Sequence, residues 1–252
     1  MSRVASPCAA LPQVEGTRVL RRERRGSSLP VIVDSPSGAW FTKLHGASQG
    51  VAPLIAEVIV AELAEVIGLS VPPRVLVTLP AAVPSDDIND ELRDLLDASA
   101  GLNLGFTVLE AARDLTAAEV PGVDLYVAAR VLWLDTVVQN FDRSLRNPNL
   151  MMRRGTIWLI DHGAALPFHH DWSAVTDAHA ARPYDVTGHL FGWVAPLLDD
   201  THAQLAPLLS REVLAGAVDM VPDRWLGHDP ASRRADYVWY LSARLAALRG
   251  FI

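Results

Sequence analysis

The chain has 252 residues, half of them hydrophobic and 20% charged, so it is long enough to fold around a large core. Its formal net charge of −7 gives no electrostatic reason to expect nucleic acid or an anionic membrane surface as a partner. The single cysteine, Cys8, excludes an internal disulfide, and no run of 18 apolar residues occurs. We therefore expect a cytoplasmic protein without membrane insertion.

Short β-type runs and one strong helix pattern alternate over the first hundred residues. Residues 53–68 predict the helix, because Pro53 suits its first turn and Gly68 suits its end. The polar segment 84–100 predicts a surface helix with loop ends. Runs of β-branched and aromatic residues between turn signals predict strands, the first three forming an antiparallel meander. The predicted strands are 16–23, 29–35, 39–45, 73–79 and 101–110.

The remainder of the chain is mostly helical. The predicted helices lie at about 124–139, 202–219 and 232–248. One hairpin interrupts them, in which 149–154 pairs with 156–161 around Gly155. Strands followed by helices in this order predict an α+β fold.

Lys43 is the only lysine of the chain, and the rest of its 22 lysine and arginine residues are arginines. Codon bias can produce this pattern, but so can a site that needs a compact ammonium rather than a planar guanidinium. Glu57, in the helix 53–68, shares a face with Ala61 and Ala64. A carboxylate facing inward on such a small-residue patch needs a cation, and Lys43 is the candidate.

Residues 139–166 contain the densest group of chemically useful side chains. Asp142 follows a long apolar helix, Asn147 and Asn149 follow in the same loop, and Asp161 ends the hairpin. Singly, such residues are usual turn formers. Together they suit phosphoryl transfer, which needs a carboxylate to accept a hydroxyl proton and oxygen ligands to hold Mg²⁺.

The order of a strand lysine, a helix glutamate, DRxxxN and IDHG resembles the protein-kinase-like fold. The segments LIAEVIVAELAEVIGLSVP, SAGLNLG and NFDRSLRNPNLMMRRGTIWLIDHGAALPFHH are similar to the small bacterial HipA-like kinases, and the DR dipeptide also occurs in phosphoinositide kinases. The resemblance covers about residues 15–175. It implies a bilobal fold with a small antiparallel β-rich N-lobe (1–109) containing one principal helix, a mainly helical C-lobe (110–252), and ATP between them.

The resemblance also implies roles for individual residues. Lys43 would contact the α- and β-phosphates, Glu57 would orient it, and Asp142 would be the catalytic base. Counting from Asp142 selects Asn147 as a Mg²⁺ ligand beside Asp161, whereas counting back from the hairpin selects Asn149. The resemblance also implies ATP contacts from Gly26, Ser27 and Ser28, whose turn departs from a glycine-rich G-x-G-x-x-G loop. Leu109 and Glu110 would form the hinge beside the nucleotide.

The expected function is therefore an ATP- and Mg²⁺-dependent kinase acting on a hydroxyl acceptor, with serine or threonine in a protein as the first candidate and a small molecule as the second. A nucleotide-binding pseudokinase or scaffold is the alternative. A transition-metal hydrolase is a further possibility, because one segment groups histidines and aspartates into a cluster. Adjacent histidines on an extended segment point in opposite directions, so one metal ion would rarely bind both, and a packing role for the segment is favoured. The cluster is Asp161, His162, His169, His170 and Asp171.

Overall fold

The computed structural model describes residues 10–23, 29–47, 49–87 and 89–248. Within these residues the α-helices are α1 (Ala52–Val66), α2 (Asp90–Ala98), α3 (Leu125–Val138), α4 (Asp177–Ala180), α5 (Leu198–Leu205), α6 (Arg211–Asp219) and α7 (Pro230–Ala247). The strands are β1 (Gln13–Glu15), β2 (Arg18–Arg22), β3 (Val31–Ser35), β4 (Gly38–Lys43), β5 (Arg74–Leu79), β6 (Gly101–Thr107), β7 (Arg113–Asp114), β8 (Leu150–Arg153) and β9 (Thr156–Leu159).

The chain divides into two compact units. The β-unit comprises residues 10–54 and 72–111, and the helical unit comprises residues 55–71 and the described part of 112–252. Most of α1 thus belongs to the helical unit. The functional division into lobes 1–109 and 110–252 stays a prediction.

The sheet of the β-unit has the order β1-β5-β6-β4-β3-β2. Its neighbouring strands are antiparallel, as predicted, apart from β1, which pairs parallel with β5. The short helix α2 begins at the cap Asn89, whose side chain accepts a hydrogen bond from the N–H of Leu92. Leu92 and Leu96 lie one helical turn apart and pack against valines such as Val33 and Val77 of the sheet. This core supports β4, the strand that carries Lys43.

Helix α3 lies in the core of the helical unit, and ten of its 14 residues are buried. This burial explains why its sequence is apolar on nearly every side rather than on one stripe. The buried Arg244 of α7 donates from Nη2 to the carbonyl of Thr136 in α3 at 3.0 Å and from Nη1 to that of Ala180 at 2.9 Å. Phe168 stacks on Tyr240 of α7. These contacts join α3, α7 and the segment between them.

The predicted helix 202–219 is wrong as a single element, because the structure contains α5 and α6 with a short 3₁₀ turn, Ala206–Leu208, between them. Pro207 has no N–H to continue α5. Ser210 then caps α6 by accepting a hydrogen bond from the N–H of Val213. Two short strands, β1 and β7, lie outside the predicted elements. The hairpin β8–β9 is confirmed, with Arg154 and Gly155 at positive φ in its turn.

No α-helix among the residues that the structure describes combines the length and hydrophobicity needed to cross a bilayer.

Candidate active site

The loop that carries Asp142 starts from an abrupt end of α3. Gln139 adopts a left-handed conformation, with φ of 55°, and so turns the chain out of the helix. The side chain of Asn140 then joins the loop to the helix. Its Nδ2 donates to Oδ1 of Asp135 at 3.1 Å, and its Oδ1 accepts from the N–H of Asp142 at 3.2 Å. The position of Asp142 is therefore fixed by a buried side chain of α3.

Asp142 contacts both of the asparagines that the sequence singled out. Its Oδ2 accepts a hydrogen bond from Nδ2 of Asn147 at 2.9 Å and another from Nδ2 of Asn149 at 3.2 Å. Asp142 is exposed to solvent. The structure thus brings the predicted base into contact with both alternative metal ligands.

The hairpin β8–β9 places Asp161 close to Asn149 along the paired strands. Leu150 is paired with Leu159, and the N–H of Ile160 donates to the carbonyl of Asn149 at 3.1 Å. Asp161 is the next residue. Both Asn149 and Asp161 have positive φ, 48° and 56°, a conformation that Asn and Asp tolerate better than most other residues. The local backbone at this end of the hairpin therefore depends on these residue types.

The donor set at this end of the hairpin is suited to Mg²⁺. The amide nitrogen of each asparagine donates to Asp142, so these two bonds do not use the amide oxygens. Asp161, which follows Ile160 on the adjoining segment, carries a carboxylate. Oxygen ligands of this kind are those that Mg²⁺ prefers. Within the described residues there is no group of three or more His, Cys, Asp or Glu side chains arranged to hold a metal ion.

Arg143, which follows Asp142, holds the two ends of the loop together. Its Nε donates to Oδ2 of Asp135 at 2.6 Å, and its Nη1 donates to the carbonyls of Pro148 at 3.1 Å and Asn149 at 2.6 Å. Only 1% of the surface of Arg143 is exposed to solvent. The arginine therefore links α3 to the segment that enters β8.

His189 completes the contacts of Asp135. Its Nδ1 accepts from the N–H of Phe191 at 3.0 Å, so the proton on Nε2 faces Oδ2 of Asp135, also at 3.0 Å. Burial acts to raise the pKa of Asp135, but the positive charge of Arg143 and the hydrogen bond from His189 outweigh it and hold that pKa below its usual range. Asp135 therefore stays ionised inside the protein. None of these three residues, Asp135, Arg143 and His189, was assigned a role in the site from the sequence.

The other predicted ATP-binding residues belong to other segments of the chain. Lys43 is the buried last residue of β4 and is paired in register with Leu104 of β6. Glu57 is fully buried in α1. Leu109 and Glu110 follow β6 in the β-unit. Gly26, Ser27 and Ser28 lie outside the described residues.

The histidines of the segment 168–172 are part of the packing of the helical unit. Nδ1 of the buried His169 lies 3.0 Å from the hydroxyl of Tyr237 in α7. Burial, with a smaller contribution from the charge of His170, lowers the pKa of His169 to about 3. An imidazole that remains neutral in the core is consistent with a packing role.

Comparisons with known proteins identify what the chain is similar to. A family model described as HipA-like kinase matches residues 17–245. No curated protein matches the chain. Among solved structures, the proinflammatory kinase CtkA of Helicobacter pylori matches with a TM-score of 0.55 and 10% sequence identity, over 95% of this chain and 96% of that chain. At this identity the likeness shows the fold alone, and it confirms the expected α+β, kinase-like fold class.

Proposed function

Because the chain belongs to the HipA-like kinase family, we propose that it is a Mg²⁺-dependent kinase that transfers the γ-phosphate of ATP to a serine or threonine hydroxyl of a protein. The observation that carries the proposal is the contact of Asp142 with Asn147 and Asn149 at the end of the β8–β9 hairpin. Phosphoryl transfer depends mainly on positioning and electrostatic stabilisation. In this proposal the cluster positions the acceptor, and Mg²⁺ and Lys43 would supply the positive charge.

In this proposal Asp142 accepts the proton of the acceptor hydroxyl. The two amide donors contact the same carboxylate oxygen, Oδ2, and so fix the direction of the carboxylate while Oδ1 remains for the acceptor. Exposure of the residue gives the acceptor access to it. A general base must lie within hydrogen-bonding reach of the proton that it removes, which is why a fixed carboxylate matters.

Asp161, with Asn147 or Asn149, would hold the metal ion. Bound Mg²⁺ supplies positive charge that neutralises the phosphate oxygens during transfer. The residues of this chain would hold the ion at the end of the hairpin, because the backbone bond between Ile160 and Asn149 keeps the two ligand-bearing segments side by side. The asparagines also bond the proposed base, so base and metal ligands act as one assembly.

Lys43 is the proposed cation for the α- and β-phosphates, and Glu57 is the proposed residue that orients it. Their support is the order of these residue types in the sequence and membership of the family. A buried lysine at the end of a strand has little freedom to move, which suits a fixed phosphate contact. The pairing of Lys43 with Glu57 remains a prediction from the sequence.

The experiment is to incubate the purified protein with γ-labelled ATP, Mg²⁺ and a cell extract, and to identify the labelled products by mass spectrometry. The proposal predicts labelled serine or threonine in protein. Label found only in small molecules would contradict the protein acceptor. Nucleotide binding with neither labelled product nor ADP release would contradict the kinase and favour a nucleotide-binding scaffold.

A further inference from the structure

One short segment, residues 184–190, bonds the loop that carries the proposed base at positions before and after the base. Before it, the hydroxyl of Tyr184 donates to the backbone carbonyl of Asn140 at 2.5 Å. After it, the N–H of Leu190 donates to the carbonyl of Arg143 at 3.1 Å. The base therefore lies between two loop residues that are bonded to the same segment.

The ring of Tyr184 makes a second contact with the same part of the loop. It stacks on Phe141, which directly precedes Asp142, with the ring centroids 4.8 Å apart and the ring planes inclined by 16°. Phe141 is 56% exposed, so the stack restrains a side chain that is largely turned toward solvent. Tyr184 thus contacts both residues that precede the base, Asn140 through its hydroxyl and Phe141 through its ring.

The carbonyl of Asn140 depends on this hydrogen bond. Asn140 is fully buried and lies beyond the last residue of α3, so its carbonyl is not part of the hydrogen-bond ladder of the helix. A buried carbonyl that lacks a partner is unfavourable. The side chain of Asn140 accepts the hydrogen bond from the N–H of Asp142 at 3.2 Å. A shift of the Asn140 peptide would therefore also move Asp142.

The hydroxyl of Tyr184 keeps the proton that this bond needs. Burial, with a smaller contribution from the negative charge of Asp135, raises the pKa of Tyr184 above its usual range. A carbonyl oxygen can only accept a hydrogen bond, so the hydroxyl is the donor. The contact with Asn140 therefore persists at neutral pH.

The segment is held in shape between its two ends. Oδ1 of Asp185 accepts from the N–H of Thr187 at 2.9 Å and from its hydroxyl at 2.7 Å, which closes a turn directly after Tyr184. The N–H of His189 donates to the carbonyl of Val186 at 3.1 Å, and the ring of the same histidine bonds α3 through Asp135. The turn that presents Tyr184 to the loop is therefore anchored to α3.

We propose that Tyr184 is a positioning residue of the kinase, which fixes the place of the Asp142 carboxylate by holding Asn140 through its hydroxyl and Phe141 through its ring. This inference rests on the proposed function. Misplacement of a reacting group by about 1 Å can cost about 10²-fold in rate. Because Tyr184 acts on the base through its neighbours, its loss should lower kcat and leave KM for ATP unchanged.

The test measures kcat and KM for ATP with γ-labelled ATP, Mg²⁺ and a mixture of peptides in which one serine or threonine is flanked by random residues. Tyr184→Phe removes the hydroxyl and keeps a ring that can stack, and we expect kcat to fall by about tenfold. Tyr184→Leu removes both contacts and should lower kcat by about 10²-fold. Tyr126→Phe is the matched control, because Tyr126 is 70% exposed at the start of α3, and it should keep the parental kcat.

The rate is expressed per ATP-binding site, with the sites counted by equilibrium dialysis. Unfolded protein binds no ATP, so a variant that is merely less stable keeps the parental kcat on this scale. A positioning role predicts a loss of kcat that remains after this normalisation.

The outcomes separate this inference from the function on which it rests. Transfer by the parent, with the parental kcat in Tyr184→Phe or an equal loss in Tyr126→Phe, overturns the role of Tyr184 and leaves the kinase standing. A raised KM for ATP with kcat retained overturns it as well. If no peptide is labelled, ADP release with water as the acceptor gives kcat for the same variants, with the same expected order. Absence of both transfer and ADP release in the parent overturns the proposed function and this inference with it.

Discussion

Nε of Arg143 donates to Oδ2 of Asp135 at 2.6 Å, and neither side chain is accessible to solvent. Because Arg143 directly follows the proposed base and also bonds the carbonyls of Pro148 and Asn149, this one ion pair connects α3 to both ends of the catalytic loop. The geometry of Asp142 therefore depends on a side chain that never reaches the solvent.

The first prediction concerns that ion pair. Asp135→Asn leaves the guanidinium of Arg143 buried without its anion, and we expect the free energy of unfolding to fall by about 3–5 kcal/mol. Urea denaturation measures it. Glu119→Gln, which breaks the exposed ion pair with Arg113, is the control and should cost much less. Equal losses of unfolding free energy in the two variants would contradict the prediction, because the buried ion pair would then contribute no more to stability than the exposed one.

The second prediction concerns pH. The pKa of His169 is lowered to about 3 by burial, whereas an unfolded histidine titrates near 6.5. Between these values the unfolded state binds more protons, so the free energy of unfolding should be fully retained above about pH 6.5 and should fall toward pH 3, with a slope of up to about 1.4 kcal/mol per pH unit.

His169→Gln should remove most of this slope, because glutamine does not titrate and can still bond the hydroxyl of Tyr237. His228→Gln, at an exposed position, should retain the slope of the parent. Unfolding curves in urea at several pH values measure the difference. A slope that persists in His169→Gln would assign the pH dependence to other groups.

The third prediction concerns Lys43. Lys43→Arg keeps the charge but replaces a compact ammonium with a wider planar group, and we expect the rate of transfer to fall by about 10²-fold, the usual cost of losing one preorganised electrostatic contact. The rate at saturating ATP measures this. Arg21→Lys, in β2, is the control and should transfer normally. A Lys43→Arg protein as fast as the parent would remove Lys43 from the site.

The fourth prediction separates the two candidate metal ligands. Binding of Mn²⁺ in the presence of ADP, followed by electron paramagnetic resonance, reports the metal site without requiring turnover. We expect Asn147→Ala to weaken Mn²⁺ binding more than Asn149→Gly, in which glycine accepts the positive φ of that position. Asp161→Asn should weaken it as well. The reverse order for the two asparagines would identify Asn149 as the ligand.

The parts of the fold that sequence reasoning predicted are those set by local patterns. The hairpin β8–β9 follows from two short β-type runs around Gly155, and the end of α1 from Gly68. The parallel pairing of β1 with β5 joins residues more than sixty positions apart. Strand β1 has only three residues, and so short a segment shows too little alternation of polar and apolar residues to predict a strand or its pairing.

The network around Asp135 was missed for a related reason. A single carboxylate in the otherwise apolar end of α3 was a visible signal, since a buried charge needs a partner. Its partners, however, lie eight residues away in a loop and 54 residues away at His189. Only the folded chain shows that Arg143 turns inward rather than toward solvent.

The most direct test of the central claim is Asp142→Asn, with ATP affinity and transfer to the labelled acceptor measured side by side in the variant and the parent. The account predicts that the variant binds ATP as the parent does and loses nearly all transfer, because an amide cannot accept the hydroxyl proton. Transfer at the parental rate by Asp142→Asn would contradict it.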